Sequence, residues 1–117
     1  MTTFYPGLLG VTDTDIGTTT DAYVDALDWA CLGYGKKTIV LKNTDAANSL
    51  DYKVLVRAYD TGQDAEEIAE TTLAAGDLVR IALANAYAGI KLQVKATIVG
   101  NQATYQLDHI GLPVGVG

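Results

Sequence analysis

The stretch IKLQVKATIV, residues 90–99, decides the fold. Ile90, Leu92, Val94, Ala96 and Ile98 alternate with Lys91, Gln93, Lys95, Thr97 and Val99. A period of two, with one apolar face and one mostly polar face, is the pattern of a half-buried β-strand. Such a face must be covered by a second layer. Residues 37–42 (KTIVLK) and 50–59 (LDYKVLVRAY) repeat the theme with β-branched and aromatic residues. In the latter, Tyr52, Val54, Val56 and Ala58 oppose Asp51, Lys53, Leu55, Arg57 and Tyr59. Residues 77–84 set Val79, Ile81 and Leu83 against Leu78, Arg80 and Ala82. Residues 102–109 (QATYQLDH) place Ala103, Tyr105 and Leu107 inward.

The connections carry turn chemistry. Asn43 to Ser49 is rich in Asn, Asp and Ser, which form local side-chain turns. Gly33-Tyr34-Gly35 and Asp60-Thr61-Gly62 turn the chain, and Gly100-Asn101 reads as a hairpin turn. Residues 64–73 (DAEEIAETTL) contain helix formers but end near Gly76. From Ile68 they read as an edge strand, with Glu66, Glu67 and Glu70 keeping other chains from pairing with it. Residues 21–31 have a helical period, with Asp21, Asp25 and Asp28 opposite Tyr23, Val24, Leu27, Ala30 and Cys31. The succession of strand-length segments around them favours a strand, which is the expectation adopted. Short strands at this spacing mean a sandwich or barrel. The predicted fold is all-β: a single antiparallel β-sandwich, jelly-roll or Ig-like, of about seven to eight strands.

Residues 1–20 read as an N-terminal arm, 21–110 as the sandwich and 111–117 as a C-terminal tail. The arm is apolar at Phe4-Tyr5-Pro6-Gly7-Leu8-Leu9, whereas free termini are usually polar. That suggests docking, on its own domain or on a neighbour, with the neighbour favoured. Asp13-Thr14-Asp15-Ile16-Gly17 has two residues of a calcium loop but lacks the third ligand, the glycine in register and the closing Glu, so it reads as a turn.

The chain has 117 residues, enough for one two-layer core. Its hydrophobic fraction is 49% and its mean hydropathy +0.15, while only 19% of residues are charged. Either some apolar surface meets other chains, or the core is rich in Ala and Val. A net charge of −6 argues against nucleic acid and against anionic membranes as partners. No apolar run approaches the roughly 20 residues of a membrane span, and the first twenty residues lack a secretory pattern. The single cysteine, Cys31, reads as a small buried hydrophobe. His109 is the only histidine, so a histidine metal cluster or a Ser-His-Asp set has little to build on. It reads as structural, with Asp108 on the opposite face. Paired acids such as Glu66-Glu67 lack the aromatic neighbours of a sugar cleft. No enzyme activity, metal or cofactor is expected.

From Lys37 onward the chain resembles a group of small β-sandwich virion proteins of tailed bacteriophages and related mobile elements. The likeness is carried by KTIVLKNTDAANSLDYKVLVRA (37–58), AETTLAAGD (69–77) and AYAGIKLQVKAT (86–97). Asp45, where glycine is expected, and the segment from Asp21 to Trp29 depart from it. The resemblance implies a structural virion protein, of capsid decoration (cement) or minor capsid type, located in the virion. Its partners would be the major capsid protein or other virion proteins, and copies of itself as a homo-oligomer, a trimer being favoured. Phe4, Tyr5, Leu8, Leu9, Tyr59, Tyr87, Leu112 and Val114 are the expected interface residues. The alternative is a carbohydrate- or receptor-binding module of a tail fibre or adhesin, for which Tyr59 and Tyr87 would be exposed contacts.

Overall fold

The computed structural model describes residues 2–4, 11–58, 62–84 and 88–113, with side chains from residue 14 onward. The described residues form strands and turns only. In chain order the strands are β1 (Thr2–Phe4), β2 (Val11–Thr18), β3 (Val24–Ala30), β4 (Tyr34–Asn43), β5 (Leu50–Arg57), β6 (Ala65–Leu73), β7 (Leu78–Leu83), β8 (Gly89–Ala96) and β9 (Thr104–Pro113). One sheet has the order β1-β2-β9-β4-β7 and the other β3-β8-β5-β6, all neighbours antiparallel. Strands β2 to β9 make the sandwich, four to each sheet, and the three-residue β1 is added beside β2.

The pairs β2·β9, β3·β8, β4·β7 and β5·β6 are nested one inside the next, so the chain is one long hairpin rolled into two layers. That is the jelly-roll arrangement, in which closing the roll brings β9 against β4 and β8 against β5. The expected antiparallel sandwich is therefore found, in its jelly-roll form. Residues 24–30 are a strand, as expected, despite their helical period. A register break between Asp25 and Leu27 explains the pattern, because a bulge inserts one extra residue and shifts the alternation.

The organising strand sits inside its sheet. Ile90, Leu92, Val94 and Ala96 are buried, between β3 on one side and β5 on the other. They pack with Leu27, Trp29, Val54, Val56 and Tyr52 against Ile39, Leu41, Ile81, Leu83, Tyr105 and Leu107 of the facing sheet. The strand ends earlier than its alternation suggests. Ile98 is not on the buried face; it lies beyond Ala96, in the turn before Gly100. That turn joins strands of different sheets, so the hairpin expected at Gly100-Asn101 is a sheet-to-sheet crossing.

Three further expectations change. Residues 11–18, placed in a loose arm, form β2, paired along its full length with β9. Its threonines, Thr12, Thr14 and Thr18, are β-branched and suit a strand. Asp13 to Gly17 accordingly lies in extended chain, neither a turn nor a loop. Residues 111–113, placed in a tail, continue β9 against β4. Gly111 has a packing reason: an added Cβ would lie 2.7 Å from the Trp29 ring, so only glycine lets β9 pass beneath it. Trp29 also packs on His109 at 4.8 Å between centroids and on Tyr34 at 5.7 Å, joining the two sheets. His109 is buried against the Trp29 ring, and Cys31 is fully buried, its thiol pushed up by burial. Lys37 was not singled out by its sequence. It points inward, and its Nζ donates to the carbonyls of Tyr34 (3.0 Å) and Gly35 (2.9 Å).

Candidate interaction surface

The outer face of the four-stranded sheet carries a ladder of ion pairs. Arg57 pairs with Asp28 (3.3 Å) and Asp64 (3.4 Å), and Lys91 shares Asp64 at 3.2 Å. Gln93 donates to Asp25 at 2.8 Å. Lys95 reaches Asp51 (3.4 Å) and Glu70 (3.9 Å). The Tyr23 hydroxyl donates to Glu70 at 2.5 Å, with Lys53 Nζ 4.4 Å from the centre of its ring. Burial, reinforced by the Glu70 carboxylate, pushes the Tyr23 phenol well above its usual range. Charges arranged this way keep a sheet face soluble and add modestly to stability.

Asp51 is the exception because it is only 5% exposed. Burial alone would raise its pKa. Hydroxyl donors from Thr72 and Thr97, both at 2.8 Å, together with Lys95, outweigh burial and hold the carboxyl below its ordinary 3.8. A depressed folded-state pKa contributes stability that is complete above the unfolded value and lost as pH falls through the folded one. Acid titration of the unfolding free energy is thus expected to decline below about pH 4, and Asp51→Asn to flatten that decline. An unchanged acid limb in the variant would contradict this role.

A second surface lies at one end of the sandwich, where the β8–β9 crossing presents Ile98 and Val99 at 62% and 75% exposure. The loop is held from several sides. Asp21 accepts from Gly100 N (2.8 Å) and Gln102 Nε2 (2.5 Å). The Thr19 hydroxyl donates to Gln102 Oε1 and accepts from Ala103 N, at 2.8 and 2.9 Å. Asn48 Nδ2 donates to Gln102 O at 2.9 Å, and Asn101 N closes a turn on Ile98 O at 2.9 Å. Gly100 takes φ 87°, which favours glycine. Beside the tip, Ala47, Asn48, Ser49, Thr97, Ile98 and Asn101 line a recess of about 130 Å³. The recess owes its wall to the expected local turns: Asp45 accepts from Ala47 N (3.1 Å) and Asn48 N (2.8 Å). These two amide donors hold the Asp45 carboxyl below its ordinary range.

Two large aliphatic side chains on an ordered loop form a preorganised apolar tip. Preorganisation removes the ordering cost that a flexible loop would meet on binding. A sequence signal for the tip does exist. The Gly100-Asn101 pair forces the strand to end two or three residues earlier, which strands Ile98 and Val99 outside the core.

Of the expected interface residues, Leu112 and the backbone of Phe4 fall among the described residues. Leu112 is half-buried on β9, in register with Lys36. Phe4 is in β1, in register with Val11. Tyr5, Leu8, Leu9, Tyr59, Tyr87 and Val114 lie outside the described residues.

No protein-family model and no curated protein matches the sequence. Solved structures do match in fold. The chain is similar to a chain of the disulfide-linked pili formed by Bacillus endospore appendages, with TM-score 0.59, 9% identity, and 91% of this chain and 88% of that one covered. It is similar to the Yersinia pseudotuberculosis-derived mitogen, with TM-score 0.56, 13% identity and coverage of 91% and 88%. A chain of the T13 particle of IBDV matches with TM-score 0.50 and 11% identity, over 91% of this chain and 32% of that one. These likenesses establish the architecture: a small β module of a kind found in a pilus, a mitogen and a viral particle.

Proposed function

We propose that this chain is a non-enzymatic structural protein of a virion, a capsid decoration (cement) or minor capsid protein that binds the assembled shell as a homo-oligomer. The observation that carries the proposal is the tip: the loop is ordered by hydrogen bonds from the segments around Thr19, Asp21 and Asn48, yet leaves Ile98 and Val99 in water. Exposed apolar side chains on an ordered scaffold suit docking to another protein. Support also comes from the jelly roll, an architecture used in viral capsid domains, and from the virion-protein resemblance of residues 37–58, 69–77 and 86–97. A module that binds the assembled shell and not its free subunits stabilises the shell by mass action.

The test is sedimentation of the purified protein with capsid particles from cells carrying its gene. Ile98→Asp with Val99→Asp is expected to leave thermal unfolding nearly unchanged, since both side chains are exposed, and to reduce particle binding by at least about tenfold. Full binding by the double variant would remove the tip from the contact. Wild-type protein that stays in the supernatant would refute the proposal.

A further inference from the structure

The sheet edges differ in how they are protected. β6 carries Glu66, Glu67 and Glu70 and breaks register twice against β5, and β3 carries Asp25 and Asp28 beside its bulge. Charges and bulges are the usual means of stopping an edge from pairing. β7 has neither an acidic residue nor a bulge. It runs in unbroken register with β4 from Lys42↔Leu78 to Lys37↔Leu83, and Arg80 is its one charge. Among the described residues no strand borders its other side. Asn43 N donates to Asp77 O (2.9 Å), so ladder alternation turns the backbone groups of Val79, Ile81 and Leu83 to β4. Those of Leu78, Arg80 and Ala82 face outward.

We infer that β7 is a pairing edge for a second copy of this chain, the two strands running antiparallel about a two-fold axis at Ile81. This rests on the self-association part of the proposed function and names its surface. In an antiparallel pair, directly opposed residues share a face. An axis at Ile81 opposes Ile81 to itself, Val79 to Leu83, Arg80 to Ala82 and Leu78 to Ala84. Leu78 is 57% exposed. Ala84 lies at the wall of a cavity of about 250 Å³, lined also by Lys36, Lys37, Thr38, Ala82 and Leu83. Each copy therefore offers a leucine and receives its partner's leucine at the cavity, as an isologous contact requires. An axis at Arg80 would set the two guanidinium groups opposite each other. An axis at Val79 would oppose Leu78 to Arg80, away from the cavity. The result is a dimer with a continuous sheet, in place of the trimer that the sequence favours.

The experiment is light scattering of the full chain across a dilution series, for the wild type, Ala82→Lys and Ala82→Glu. Ala82 is exposed, so both variants are expected to fold, which thermal unfolding verifies. The wild type is expected to give twice the 12.3 kDa of one chain at the upper concentrations. Ala82→Lys sets a like charge opposite Arg80 twice by symmetry and should weaken the dimer by about tenfold, whereas Ala82→Glu should hold or tighten it. A wild type that is monomeric throughout, or equal weakening by both variants, overturns the pairing. A monomer that still sediments with particles overturns this edge alone, and a dimer that does not sediment overturns the shell-binding role alone.

Discussion

Replacing Trp29 with alanine is expected to destabilise the fold by about 3–5 kcal/mol, read from equilibrium unfolding in denaturant. Trp29 belongs to the four-stranded sheet, but its ring contacts lie across the sandwich, on His109 at 4.8 Å and on the backbone of Gly111, as well as on Tyr34. Truncation removes the apolar burial and leaves a cavity facing a glycine, which has no side chain with which to fill it. The neighbours cannot easily collapse inward, because β9 is paired on both sides, to β2 and to β4. Trp29→Phe should recover part of the loss. A change below about 1 kcal/mol would mean that this end of the sandwich is not held by the ring.

Leu92→Ala is expected to cost about 2–5 kcal/mol. Leu92 is fully buried in β8, flanked in register by Leu27 of β3 and Val54 of β5, and faces the opposite sheet. Flanking strands on both sides restrict relaxation, so much of the vacated volume should persist as a cavity. Its effect and that of Trp29→Ala report on the same core. The double variant is therefore expected to depart from additivity if the two cavities share neighbours. Neither change touches the Ile98–Val99 tip, so particle binding per folded molecule should survive both.

The alternation from Ile90 to Ala96 was legible because burial on one sheet face imposes a period of two. The same logic exposes the strands around Leu41, Val54 and Leu107. The guarded edge at β6 was legible through its glutamates. The nesting of β2 with β9 was not, because Thr14 meets Asp108 across 94 positions of sequence and no local pattern encodes such a pairing. The threonines of β2 resemble a polar arm until a partner strand supplies their second neighbour. Lys37 escaped notice for a different reason: its charge marks it as outward, whereas two backbone carbonyls allow its ammonium to stay inside. Ile98 satisfied the alternation yet lies outside the core, since period alone does not say where a strand stops. The interface residues expected from the apolar ends followed from composition. Of the tip, the Gly100-Asn101 turn was legible, but the pinning of its loop depends on Thr19, Asp21 and Asn48, which are far away in sequence.

In the proposed role the molecule works through its outer surface as a component of a larger shell. Quantitative mass spectrometry of gradient-purified capsid particles from cells carrying the gene tests it most directly. The chain is expected in the particle fraction at a fixed ratio to the major shell protein, and that ratio should fall for the Ile98→Asp, Val99→Asp variant. Recovery of the chain only in the soluble fraction, with intact particles free of it, would contradict the claim.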